Sequence, residues 1–176
     1  MRVIGGVYRH RELVWPKSLN TRPTKDMVRE AIFSALTSKV NNSIILDLFA
    51  GSGAMAIEGL SRGASFSYLV DNDVNAINAI NCNIANLKIN NAKVYSTDYQ
   101  IALKDLISHQ IKIDILFLDP PYQMNNYEEL INEANLLLKD DSVIVIESED
   151  PLKINTTYRK IKEYKYGKTR VTILWK

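Results

Sequence analysis

The chain has 176 residues, 46% of them hydrophobic, and carries 22 Lys and Arg against 20 Asp and Glu, a net charge of +2. That length suits a single domain with a substantial core. No apolar run reaches the ~20 residues that a membrane-spanning helix needs, and the N-terminal MRVIGGVYRH lacks the apolar stretch of a secretory signal. One cysteine, Cys82, excludes an internal disulfide and a cysteine-based zinc cluster. These features predict a soluble, cytoplasmic protein with no membrane partner.

The small net charge conceals a segregation. Residues 1–29 carry seven Lys and Arg against two acids (+5), residues 30–150 seven against seventeen (−10), and residues 151–176 eight against one (+7). Basic ends around an acidic middle suit a polyanionic partner gripped by the termini, because clustered Lys and Arg neutralise phosphate.

In chain order, VIGGVYR and ELVW read as a small β arm within residues 1–24, with Gly5 and Gly6 permitting a sharp bend. A helix follows. Pro23 disfavours helical geometry at Arg22, Thr24 is a plausible N-cap, and Val28, Ile32 and Leu36 share a face. The apolar runs 43–49, 65–71, 92–97, 112–119 and 142–148 read as strands. Between them lie helix-period segments: Met55, Ile57 and Leu60, stopped near Gly63; Ile77, Ile80, Ile84 and Leu87; Ile101, Leu103, Leu106 and Ile107; and Leu130, Ala134, Leu137 and Leu138. The Asn-rich run around Cys82 keeps its helical period and reads as compositional bias on a surface helix. The C-terminal segment places Gly167 between two strand-like runs, a hairpin on the sheet edge.

Continuously apolar strands alternating with helices imply a parallel sheet covered on both faces, and crossover handedness makes it a doubly wound α/β sandwich. Ligands of such sheets settle outside the carboxyl ends of the strands. The segment LDLFAGSGAMAIEGL sets a glycine turn there, where Gly51 and Gly53 would let the backbone approach a ligand. Gly51-x-Gly53-x-x-Ala56 also satisfies the dinucleotide pattern, with Asp71 twenty residues on and suited to ribose hydroxyls. Asp47 separates the readings. A carboxylate inside the strand before the turn suits a cationic ligand such as the amino-acid end of S-adenosylmethionine, with Phe49 adding apolar contact; its bland role is to fasten the turn. Asp98, after the third strand, could accept from an adenine amine or simply form a turn.

The stretch FLDPPY ends the fourth strand. Two prolines cannot continue a helix and donate no hydrogen bonds to a sheet. Exocyclic base amines are poor nucleophiles because the nitrogen lone pair is delocalised into the ring. Hydrogen bonds from the amine to Asp119 and the Pro120 carbonyl would favour a more tetrahedral nitrogen. Pro120 and Pro121 fix these acceptors in advance. Tyr122 can stack on the base, a contact worth about 1–3 kcal/mol. Cytosine C5 methylation would need a cysteine nucleophile, and Cys82 lies remote from any strand end. Glu147, at the end of the fifth strand, reads as a surface acid more than a supporting one.

LDLFAGSGAMAIEGLSRGA, VDND and FLDPPY, in this order and preceded by RPTKDMVREAIF, resemble the bacterial 16S rRNA (guanine-N2)-methyltransferase family, RsmD, over nearly the whole chain. The resemblance implies a Rossmann-like, mostly parallel seven-stranded sheet and S-adenosyl-L-methionine as donor. It further implies N2 methylation of one guanine in 16S rRNA, free or in a small-subunit particle, by a monomer. It carries cofactor binding to Asp47, Gly51, Gly53, Asp71 and Asp98, and catalysis to Asp119, Pro120, Pro121 and Tyr122. Arg22, Thr24 and Arg29, with Arg9 and Arg11 of the arm, would contact rRNA or close over the site; the bland role of Arg29 is a helix-surface ion pair with Glu30 or Asp26. Two positions depart from the family pattern: His10 stands for a usual glycine, and Asp71 for a usual glutamate. Three alternatives stay open on the residues alone: an adenine-N6 or cytosine-N4 DNA methyltransferase, an NAD-linked dehydrogenase, and an RNA-binding ribosome-assembly factor with a vestigial cofactor site.

Overall fold

The computed structural model describes residues 1–16, 26–121, 127–154 and 158–176. The strands are β1 (Ile44–Asp47), β2 (Phe66–Asp71), β3 (Ala92–Ser96), β4 (Ile113–Leu118), β5 (Leu138–Ser148), β6 (Lys160–Tyr166) and β7 (Thr169–Trp175). The helices are α1 (Asp26–Ala35), α2 (Thr37–Val40), α3 (Ala54–Ser61), α4 (Val74–Leu87), α5 (Tyr99–Ser108) and α6 (Tyr127–Ala134). They build one sheet in the order β3-β2-β1-β4-β5-β7-β6, in which β1 to β5 pair in parallel and β7 is antiparallel to both its neighbours. The predicted doubly wound sheet and C-terminal hairpin are both present. Among the described residues no helix is long and apolar enough to cross a membrane.

Each central strand is buried on both faces, which is why its sequence runs apolar without alternation. On one face Ile45, Phe117, Val145 and Ile173 meet Ile32 and Phe33 of α1 and Ile57 of α3. On the other, Leu46, Leu116, Ile144 and Leu174 meet Leu103 and Leu106 of α5 and Leu130 and Ile131 of α6. Burying a Leu or Ile side chain contributes about 1.5–3 kcal/mol, so these two layers fix the strand order. The carboxyl ends of β1, β2, β3 and β4 consequently share one edge.

Four local expectations are corrected. Among its described residues the arm makes no regular strand, and an isolated β-bridge joins Arg2 to Glu12. Gly6 (φ 77°) brings the arm onto the end of α3, so close that a Cβ would collide with the Ser61 carbonyl oxygen. Helix α6 ends at Ala134, and Leu138 instead starts β5 by pairing with Ile113. Periodicity alone could not separate these, because Leu137 and Leu138 are buried in either state. Ile101 is 59% exposed and leaves the apolar stripe of α5 to Ala102, Leu103 and Leu106. On α4, Asn83 is buried and donates to the carbonyls of Val14 and Ser52 while accepting from the Val14 N–H. At that position the Asn-rich run is a tie between the arm and the glycine turn, not surface bias.

Candidate active site

A cavity of about 770 Å³ opens at the carboxyl edge of the sheet, within the size range of small-molecule sites. Asp47, Phe49, Gly51, Asp71, Asp98, Asp119, Pro120 and Pro121 all line it. Residues separated by seventy positions are thereby brought to one wall, since β4 lies beside β1 and β2 beside β1 on its other side.

Asp47 forms the deepest acidic point. It is 3% exposed, and its Oδ2 has no hydrogen-bond partner among the described residues. Burial, reinforced by the charges of Asp71 and Glu147, pushes its pKa up to about 7, against the pull of the Ala56 and Phe49 N–H groups. A buried carboxylate left half-satisfied is costly, and a cation would relieve it. Asp71 is held differently: its two oxygens accept from the Gly51 N–H at 2.8 Å and the Asp73 N–H at 2.9 Å. Burial raises its pKa as well, partly offset by those donors.

The two glycines have separate roles. Gly51 (φ 55°) faces open space where a Cβ would meet nothing within 4 Å, so a ligand can approach its backbone. Gly53 (φ 77°) does not line the cavity. A Cβ there would come 2.9 Å from Leu69 Cδ2, and its N–H donates to the Ala50 carbonyl. The expectation that Gly53 admits a ligand is corrected: it closes the turn onto the core. Asp98 is the N-cap of α5, accepting from the Gln100 N–H at 2.9 Å, and still faces the cavity. Phe49 and Tyr99 form a tilted ring pair at 5.4 Å beside it, an apolar wall wide enough for a flat base.

Asp119 sits at the mouth. Its carboxyl is reachable by solvent from the cavity, and none of the described residues hydrogen-bonds to it. Enclosure by the cavity walls, then Glu147 and Asp47, hold its pKa well above the usual carboxylate range. Glu147 is therefore not a surface acid. It is half-buried on β5, one register step beyond the Leu118–Ile146 pair, and lines the same cavity. Sequence reasoning undervalued it because its partner strand could not be known before the sheet order.

Tyr122, Arg22 and Thr24 lie outside the described residues. Arg9 and Arg11 are exposed on the arm and do not line the cavity. The role expected of Arg29 in contacting substrate is corrected: the side chain is fully buried, donating to the Arg2 carbonyl and to Asp26 Oδ1, with Nε 3.8 Å from Glu58. The bland reading holds in its partner, since the ion pair with Asp26 forms at 3.1 Å, but not in its setting: the guanidinium is interior and anchors the arm to α1 and α3. Met1 and Trp15 reach the cavity from the arm; the sequence carries no local signal for either.

The fold and the acid-lined edge define a class. Solved methyltransferases share this architecture: "Putative methyltransferase yhhF" from Escherichia coli superposes with a TM-score of 0.85 at 31% identity, covering 99% of this chain and 97% of its own. The solved structure "SMU.776, a putative methyltransferase complexed with SAH" shares the fold alone, at TM-score 0.68 and 16% identity over 83% of this chain and 49% of its own. The family model "Conserved hypothetical protein 95" matches residues 1–175, and the chain belongs to that family, the RsmD family of methyltransferases. Relatives include the ribosomal RNA small subunit methyltransferase D of Escherichia coli K12, 39% identical over 85% of this chain and 75% of the relative. The putative rRNA methyltransferase YlbH of Bacillus subtilis is 34% identical over 98% of this chain and 97% of its own length.

Proposed function

We propose that the protein transfers a methyl group from S-adenosylmethionine to the exocyclic N2 of a guanine in small-subunit rRNA. The observation that carries this reading is the meeting of two carboxylates at one cavity: among the described residues Asp47 Oδ2 has no hydrogen-bond partner at the base, and Asp119 lines the mouth. A donor with two positive groups and a flat base fits what these residues offer. Asp47 would hold the ammonium, the Gly51 backbone would approach the chain of the amino acid, Asp71 would accept from ribose hydroxyls, and Asp98 with the Phe49–Tyr99 wall would take the adenine. When bound, S-adenosylmethionine supplies a sulfonium methyl. Its positive charge beside Asp47 and Asp119 favours their ionised forms, reversing the upward shifts that burial imposes.

Asp119 and the Pro120 carbonyl would accept the two hydrogens of the guanine amine and turn its lone pair toward the methyl. Methyl transfer would form an N–C bond as the C–S bond broke toward sulfur, and Asp119 would take the proton that the amine sheds. Pro120 and Pro121 hold both acceptors before substrate arrives, so that positioning supplies much of the acceleration. A base drawn from structured RNA must be splayed out to reach this depth. The rRNA assignment is supported by the names of the relatives and by the basic ends, on which Arg9 and Arg11 are exposed. The closed-up arm, with one β-bridge, offers little surface for reading a sequence, which favours a partly assembled particle as substrate.

Asp119→Ala is expected to lower methyl transfer by at least 10³-fold while S-adenosylmethionine affinity, read by calorimetry, changes little. Turnover within tenfold of wild type would refute the role. Mapping the labelled nucleotide after nuclease digestion distinguishes guanine N2 from adenine N6 and cytosine N4.

A further inference from the structure

The strand pairing carries the active-site row beyond Glu147 to the edge of the sheet. Leu118 pairs with Ile146, Glu147 with Val171, and Val171 with Tyr164, so Asp119, Glu147, Val171 and Tyr164 stand side by side on successive strands. Residues two apart along a strand share a face. Val171, Phe117 and Val145 lie in one core layer, and Tyr164 and Tyr166 pack against that same layer. The two tyrosines therefore lie on the face that presents Asp119, three strand spacings away, or roughly 14 Å. Their rings stack, 21° apart in plane with centroids at 6.4 Å. Tyr166 pairs with Thr169 at the tip of the hairpin, on the edge where the cavity opens.

Charge flanks this aromatic pair: by strand alternation Lys162 shares its face, Lys165 lies on the other face of the edge strand, and Lys168 sits in the turn. Lys162, Lys165 and Lys168 are exposed on β6 and the turn, and among the described residues none of them meets a carboxylate. Elsewhere Lys39, Lys93 and Lys139 each lie against an aspartate. Aromatic faces interleaved with unpaired cations along an open strand are what a single-stranded nucleic acid requires: stacking surface for bases and charge for the backbone.

We propose that the C-terminal hairpin docks the RNA strand flanking the target nucleotide, with phosphates on Lys162, Lys165 and Lys168 and a flanking base against the Tyr164–Tyr166 pair. This rests on the reading of the site as an RNA methyltransferase. It gives Lys162, Lys165 and Lys168, part of the +7 of residues 151–176, a place on the edge where the cavity opens.

The test uses the full chain carrying Lys162→Ala, Lys165→Ala and Lys168→Ala together. Its binding to small-subunit rRNA and to particles from a strain lacking the enzyme is measured across a salt series, beside wild type. Each lost phosphate contact should lower the slope of log affinity against log salt by about 0.7, so the triple variant should lose about two units of slope. At low salt its affinity should fall at least tenfold, with S-adenosylmethionine affinity and kcat at saturating RNA unchanged. Tyr166→Ala should weaken RNA binding by about 5- to 100-fold with the salt slope intact. A triple variant with wild-type slope and affinity overturns the proposal. So does one that self-associates at unchanged RNA affinity, which would make the lysines guards of an open edge strand. Should the triple variant lose donor binding and so be misfolded, Lys168→Ala at the hairpin tip carries the same test with a slope change of about 0.7. A wild-type protein that neither binds nor methylates rRNA would instead sink the functional reading itself, a result separable from all of these.

Discussion

Two buried acids lie eleven positions apart on either side of the glycine turn, and they are treated in opposite ways. Glu58 of α3 is wholly buried, and its oxygens accept from the N–H groups of Ile4 and Gly5 at 2.8 Å each and from Arg62 Nε at 2.6 Å, with Arg29 Nε 3.8 Å away. Asp47 is 3% exposed, with one oxygen lacking any partner and a pKa raised to about 7. The desolvation cost is similar for both; only one is repaid within the chain. Saturation marks Glu58 as the anchor of the arm, and the missing partner marks Asp47 as the place where something else must bind. Exposure alone would have ranked them together.

The largest expected effect is on the saturated side. Glu58→Ala strips two arm N–H groups and Arg62 Nε of their acceptor and removes one of the two carboxylates beside the buried Arg29, leaving it Asp26. Breaking a buried pair by removing one partner costs about 3–5 kcal/mol. The loss is read from the urea midpoint at unchanged m-value. A loss below 1 kcal/mol would show that the arm is held by its apolar contacts, Val3 and Leu13 in the core, and would void the contrast.

Asp47→Asn should do the reverse: little harm to folding, large harm to donor binding. The sign follows from the protonation states. The folded pKa of about 7 lies above the ordinary 3.8, so between these values the native state binds more protons than the unfolded chain. Stability therefore falls as pH rises through that window and levels off above pH 7, by an amount on the order of 4 kcal/mol for the full shift. Asp119 and Asp71, also raised by burial, add to the same trend. Wild type should melt at higher temperature at pH 5.5 than at pH 8, and Asp47→Asn should flatten part of that slope while stabilising the protein at pH 8 by about 1–3 kcal/mol. Donor affinity should run the other way in wild type, rising with pH up to about 7, and should drop at least tenfold in the variant. Parallel pH trends for stability and binding would contradict the assignment.

The same contrast explains what was legible before the structure. The centre of the sheet was readable because parallel strands buried on both faces run largely apolar, as β1, β4 and residues 143–146 of β5 do, whereas β3 at the edge is only partly buried. The cofactor edge was readable because Gly51, Asp71 and Asp119 depart from those runs at the places where strands end. Glu58 and Asn83 were not: each is explained by bonds to residues of the arm more than fifty positions away, Ile4 and Gly5 for one and Val14 for the other. A helical Glu or Asn on its own looks like a solvated face. Glu147 fell between, since its place in the chain marked a strand end but only the neighbouring strand made it part of the cavity. For Arg29 the local partner Asp26 was legible, but its burial and its contacts with the Arg2 carbonyl and Glu58 are brought by the fold.

The smallest expected effect concerns the route of the arm toward Glu58. His10 has a φ of 69°, a left-handed conformation uncommon for a side chain with a Cβ. The turn is held there by the His10 N–H donating to the Val3 carbonyl and the Val3 N–H donating to the Arg11 carbonyl, both at 2.9 Å. The resemblance to the RsmD family places a glycine at this position, and the backbone adopts the conformation a glycine would. His10→Gly should then stabilise the chain by up to about 1 kcal/mol, because the left-handed strain is removed and the imidazole is exposed, with no hydrogen bond to any described residue. Part of that gain is offset by the greater freedom of glycine in the unfolded chain. The melting temperature should rise slightly while S-adenosylmethionine affinity stays at the wild-type value, since the gain belongs to the arm and not to Asp47. A destabilised His10→Gly would mean that the imidazole itself holds the turn, and the arm would then rest on more than Glu58 and the backbone.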